Sequence, residues 1–185
     1  MARARIALLF LVAAGVGWAQ GEAPVELVWK QAAAGGFYAA PTVVGDTVYA
    51  GALDQKVYAL AADSGKELWR YDAGGKFYAG VAVADGLVYC ASTDKKLTAL
   101  DARTGKQRWQ HDLEGLPYAA PLVGGGLVYQ GNGETGAVLA LSAAGGQVKW
   151  TYQLGARMGS GLALAGGRLF IGSHDRKLHV VEASS

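Results

Sequence analysis

Val57-Tyr58-Ala59-Leu60-Ala61-Ala62-Asp63-Ser64-Gly65-Lys66-Glu67-Leu68-Trp69 returns as Leu97-Thr98-Ala99-Leu100-Asp101-Ala102-Arg103-Thr104-Gly105-Lys106-Gln107-Arg108-Trp109. Each copy is a short apolar run, a polar turn closed by glycine, and a second run carrying tryptophan. Working outward, Trp29, Trp69, Trp109 and Trp150 are spaced 40, 40 and 41 residues apart, and Tyr49, Tyr89, Tyr129 and Phe170 keep the same spacing. Tyr38, Tyr78, Tyr118 and Met158 form a third series, read at 40 residues throughout. The extra residue falls between Tyr129 and Val138, inside Gly131–Gly136, where a hairpin can absorb it. A fixed period of this length marks a repeat architecture.

Each unit reads as four short strands. The first is expected over 38–44, 78–84, 118–124 and 158–165, and a Gly/Asp turn follows, such as Asp85-Gly86, of the kind that tolerates positive φ. The second strand is the β-branched and aromatic run at 47–52, 87–92, 127–131 and 168–173, and the third lies at 57–60, 97–100, 138–141 and 178–181. The fourth carries the tryptophan. No segment sustains a 3.6-residue apolar period, so the class is all-β. A four-stranded unit of this length has the size of a β-propeller blade. Runs such as Leu87-Val88-Tyr89-Cys90 have no polar alternate face, so each sheet must be covered by neighbours.

Composition fits this picture. The chain has 185 residues, 51% hydrophobic and 17% charged, which excludes a disordered chain. Its 28 glycines follow no collagen period, its single cysteine excludes a disulfide framework, and a net charge of +2 gives no electrostatic case for nucleic acid. Residues 1–19 read as a signal peptide: Arg3 and Arg5, an apolar run from Ile6 to Val16, and small residues Gly17 and Ala19 before the cut. Without Arg3 and Arg5 the remainder carries 15 basic and 15 acidic residues. It is expected to be periplasmic or secreted, with no later segment long enough to cross a membrane.

The repeats then occupy 20–185: a fourth-type strand at 25–30, blades at about 37–71, 77–111 and 117–152, and a partial blade at 158–182. The strand absent from the last blade stands at the front of the chain. Four blades in an open arc would expose two apolar faces and a strand edge. A homodimer closing one eight-bladed ring is therefore expected, with a four-bladed monomer as the alternative.

The segments 57–69 and 97–109 resemble the tryptophan-docking motif of PQQ-like (pyrroloquinoline quinone) β-propeller repeats, and the likeness covers essentially all of 20–185. It implies Trp29, Trp69, Trp109, Trp150, Gly65, Gly105 and Gly146 as docking residues. The family includes quinoprotein dehydrogenases and non-enzymatic scaffolds, among them the propeller subunit of the outer-membrane barrel-assembly machinery. The dehydrogenases use adjacent disulfide-bonded cysteines, a bound calcium and a catalytic aspartate. One cysteine cannot supply that disulfide, so neither quinone nor calcium is expected here.

Other candidate chemistry has plainer readings. Gly131-Asn132-Gly133-Glu134-Thr135-Gly136 matches G-x-G-x-x-G but precedes a strand rather than a helix. Ser64-Gly65-Lys66 and Thr104-Gly105-Lys106 lack the first glycine of a phosphate loop. Asp54, Asp94, Glu134 and Asp175 recur in hairpins and read as turn residues rather than a calcium ring. His111 reads as a fourth-strand side chain, His174 and His179 in one hairpin lack a third ligand, and Cys90 reads as a buried small residue. Phe37, Tyr38, Phe77, Tyr78, Tyr118, Arg157 and Met158 are left as a partner-binding rim. The expected function is a non-enzymatic extracytoplasmic scaffold, with cell-envelope protein assembly as its setting. The alternatives are a quinoprotein dehydrogenase and a fragment of a longer propeller.

Overall fold

A computed structural model describes residues 26–184, without the side chain of Ser160. The signal peptide expected at 1–19 lies outside the described residues. Among the described residues, fifteen strands, all antiparallel, make four sheets in chain order. The first blade is β1 (Thr42–Val44), β2 (Thr47–Gly51), β3 (Lys56–Ala61) and β4 (Glu67–Asp72). The second is β5 (Ala82–Ala84), β6 (Leu87–Ser92), β7 (Lys96–Asp101) and β8 (Gln107–Asp112). The third is β9 (Leu122–Gly124), β10 (Leu127–Gly131), β11 (Ala137–Ser142) and β12 (Val148–Gln153). The fourth has three strands, β13 (Met158–Ala165), β14 (Arg168–Ser173) and β15 (Leu178–Glu182). Among the described residues no helix is long and apolar enough to cross a membrane.

The first strands of blades 1–3 begin four residues later than the sequence suggests. Pro41 and Pro121 offer no N–H at that point in blades 1 and 3, but blade 2 begins at the equivalent residue after Val81, so proline alone does not set the strand start. The fourth unit has no proline there, and β13 runs to eight residues across a register shift between Met158 and Leu162. Residues 26–30 were expected to form a strand and have no strand pairing.

The core lies between blades. One cluster joins Tyr49, Val57, Ala59 and Trp69 of blade 1 to Phe77, Val81, Val88, Cys90 and Leu100 of blade 2. Its counterparts join blades 2 and 3 through Trp109, and blades 3 and 4 through Trp150. Each fully buried tryptophan removes ~150–250 Å² from water.

The docking turns explain the sequence motif. Trp69 Nε1 donates to Ala102 O at 2.8 Å, Trp109 to Ala143 O at 2.8 Å, and Trp150 to Ala183 O at 3.2 Å. Tyr49, Tyr89 and Tyr129 donate their hydroxyls to those same carbonyls at 3.2, 3.2 and 3.0 Å. One alanine oxygen thus uses both lone pairs to hold the preceding blade. Gly105 and Gly146 sit at φ of 70° and 73°, and a Cβ on either would lie 2.7 or 2.6 Å from the docked indole. Both the backbone angle and the close approach require glycine. Asp101 closes its turn by accepting from the Thr104 hydroxyl and the N–H groups of Arg103 and Thr104. The Thr104 hydroxyl bond leads in holding the Asp101 carboxyl below the usual carboxylate range.

Candidate functional site

The segment before each first strand is tied to the second hairpin of its own blade. Leu53, Thr93, Gly133 and His174 donate their N–H groups to Gly36 O, Lys76 O, Leu116 O and Arg157 O. Side chains reinforce the strap: Ala34 N donates to Asp54, Lys76 N to Thr93, and Leu116 N to Glu134. This holds the next residues in a fixed attitude, one side chain against the sheet and the following one out of it.

Those bonds also fix the repeat phase. Gly36, Lys76, Leu116 and Arg157 are equivalent, so Phe37, Phe77, Pro117 and Met158 are equivalent too. The sequence reading paired Met158 with Tyr118, and the structure moves it by one residue. The physical reason is the extra residue in the Gly131–Gly136 hairpin, which shifts everything after it. Met158 packs on Gly131 as Phe77 packs on Gly51. Gly159 therefore stands where the other units have tyrosine.

The seven rim candidates divide accordingly. Phe77 and Met158 lie in the inter-blade core at 0% and 2% exposure. Tyr38, Tyr78 and Tyr118 are exposed at 70%, 42% and 56% and lie off every core cluster. Tyr38 and Tyr78 meet edge to face with ring centres 5.5 Å apart. Tyr118 lies over Gly133, where a Cβ would collide with its ring. Arg157 is exposed beside buried Met158, and Phe37 contacts Tyr58 edge to face at 5.8 Å. The rim is thus three tyrosines in successive blades, ending at Gly159 and Arg157.

The polar candidates serve locally. Asp54 accepts from the Tyr58 hydroxyl at 2.7 Å, and burial together with that bond pushes the Tyr58 phenol up to about 12. Asp94 accepts from the Ser92 hydroxyl. His111 lies half-buried on β8 and His174 belongs to the fourth blade's strap. Cys90 is buried, and desolvation pushes its thiol up to about 12, so it carries no thiolate near neutrality. One arrangement escaped the sequence reading: Asp175 bonds His179 Nε2 at 2.9 Å, and His179 Nδ1 meets the Tyr152 hydroxyl at 2.9 Å. It links blades 3 and 4. Burial raises the Asp175 pKa, but the hydrogen bonds, His179 foremost, outweigh it and leave the carboxyl below its usual range. The four-residue spacing across a tight hairpin was the available signal.

Successive sheets stacked through docked indoles define a PQQ-like β-propeller repeat protein. The family described as outer membrane protein assembly factor BamB matches residues 19–76 and 53–184, and the chain belongs to that family. BamB from Moraxella catarrhalis superposes with a TM-score of 0.72 at 25% identity, over 79% of this chain and 46% of that one. The quinohemoprotein alcohol dehydrogenase ADHIIG from Pseudomonas putida HK5 gives 0.71 at 23% identity, over 85% and 34%. The computationally designed Ika4 protein gives 0.74 at 17% identity, over 86% and 98%. The chain thus spans about half the length of that BamB and a third of that dehydrogenase. Among curated proteins none matches.

The one cysteine is buried, and no group of three or more His, Cys, Asp or Glu side chains converges among the described residues.

Proposed function

We propose that this chain is a non-enzymatic, extracytoplasmic propeller scaffold that binds an extended protein segment along Tyr38, Tyr78 and Tyr118. The three exposed rings carry the reading. They recur once in each of the first three blades, contribute to no core cluster, and stand on straps held by backbone bonds. Rigid aromatics presented this way suit polypeptide recognition, because they give contact area at little entropic cost. Membership of the outer membrane protein assembly family supports a partner in the cell envelope, and the leader at 1–19 supports an extracytoplasmic site of action. A strand of an outer-membrane β-barrel, the class of partner this membership suggests, alternates apolar and polar side chains over about ten residues. That pattern sets one apolar side chain toward the rim at every second position.

The test is fluorescence anisotropy with a labelled ten-residue peptide of that alternating pattern and a composition-matched scramble. The expected result is binding of the patterned peptide, lost in the triple variant Tyr38→Ser, Tyr78→Ser, Tyr118→Ser with thermal unfolding little changed. Unfolding of the triple variant would assign the rings to the core. A spectral change on titration with pyrroloquinoline quinone and calcium would overturn the non-enzymatic reading.

A further inference from the structure

The faces that meet inside the chain recur, uncovered, at its two ends. On the leading side of a blade, Val57 and Ala59, Leu97 and Ala99, and Val138 and Ala140 are all at 0% exposure. Their equivalents in β15, Leu178 and Val180, are 68% and 48% exposed. On the trailing side, Phe77, Val81, Cys90 and Leu100 are buried against blade 1. The equivalents on blade 1 line an open apolar groove of about 210 Å³ with Trp29, Phe37, Ala39, Pro41, Val48 and Leu60 on its walls. The leading side of blade 4 therefore has the shape and chemistry that the trailing side of blade 1 lacks.

Residues 26–30 add a second, independent observation. Trp29 is already docked as the other tryptophans are, its Nε1 donating to Ala62 O at 2.8 Å with Gly65 at φ 70° beneath the ring. In blades 1 to 3 the strand bearing the tryptophan pairs with the third strand of its own blade, as β4 pairs with β3, while its indole docks on the next blade. Among the described residues, 26–30 hold that position with no such strand beside them, and β15 is paired with β14 within its sheet.

We propose that two copies of this chain close head to tail into one ring, β15 of each copy pairing with residues 26–30 of the other. A second copy is the occupant because both open faces are repeat-equivalents of the three junctions the chain already builds. The arc also superposes on 46% of a longer propeller, so its curvature leaves room for about as many blades again. Two such junctions related by a two-fold axis satisfy both ends at once and leave no edge for further growth. The register follows from β3 and β4. Val57 opposite Tyr71 becomes Leu178 opposite Gln31, and Ala59 opposite Trp69 becomes Val180 opposite Trp29.

The junction has one difference from the internal ones. Phe170 stands where Tyr49, Tyr89 and Tyr129 stand, so Ala62 O receives the indole of Trp29 without a hydroxyl beside it. Phe170→Tyr supplies that second donor from the other copy.

Sedimentation equilibrium of the full chain after leader removal is expected to give twice the chain mass. Mixing Gln31→Cys with Leu178→Cys under mild oxidation is expected to give a disulfide-linked pair, while neither variant alone does; buried Cys90 stays silent in both. Phe170→Tyr is expected to lower the dimer dissociation constant by roughly 5-fold to 150-fold, since two junctions each gain one hydrogen bond. A monomer at tens of micromolar overturns the proposal. So does a double variant that cross-links within one chain, which is the four-bladed monomer, or growth into fibres. An unchanged dissociation constant for Phe170→Tyr overturns the register.

Discussion

The junction between blades 2 and 3 and the uncovered face of blade 1 are built from the same motif and differ only in what lies opposite. Trp109 at the first is 9% exposed, and its indole and the Tyr89 hydroxyl share Ala143 O. Trp29 at the second makes the equivalent indole bond to Ala62 O and touches the equivalent glycine, Gly65, yet is only half-buried and stands beside an open groove. Local hydrogen bonding is therefore not what distinguishes a finished junction. The neighbouring sheet is, because it removes the apolar face from water.

Trp109→Ala should show the largest effect, about 3–5 kcal/mol in denaturant unfolding. Trp29→Ala should cost about 1–2 kcal/mol in dilute protein, because much of its surface is already wet. Equal losses at the two sites would erase the distinction. Next comes Gly105→Ala, expected at about 2–4 kcal/mol from the ring collision and the left-handed backbone together. Gly65→Ala should cost less, since Trp29 can swing toward the groove. Gly45→Ala, at φ 56° with open space around it, isolates the backbone share at about 1 kcal/mol. Tyr89→Phe removes one of two donors to Ala143 O and should cost about 0.5–1.5 kcal/mol.

The smallest effect is a pH dependence. Asp101 has its carboxyl held down in the folded protein, so its contribution is present above the unfolded value near ~4 and is lost as pH falls through the folded value. The melting temperatures of wild type and Asp101→Asn should differ near pH 6 and converge below about pH 4. A constant difference would show that the turn is held by shape alone.

The fold was legible because its two least replaceable parts, an indole and the glycine beneath it, leave residue types at fixed intervals that no other pattern imitates. The late start of the first strands was less legible, since Pro41 and Pro121 hint at it but blade 2 starts at the same place after Val81. The phase of the fourth unit was harder. The extra residue before Val138 requires every later position to shift, but Arg157-Met158 looks enough like an aromatic pair to hide it, and only the Arg157 carbonyl bond fixes the count. Residues 26–30 read as a strand from their own sequence, yet a strand needs a partner that no local pattern supplies. At the candidate rim, spacing located the tyrosines and could not separate them from Phe77 and Met158, because neighbouring residues of an extended segment point to opposite faces.

Each indole clasp joins one unit only to the next, so no blade leans on any other than its immediate neighbours. Such a molecule comes apart as a row of latches rather than as one block. In the dissociated chain, amide exchange should begin at β15 and around Trp29 and reach the central strands of blades 2 and 3 last, where both flanking latches are shut.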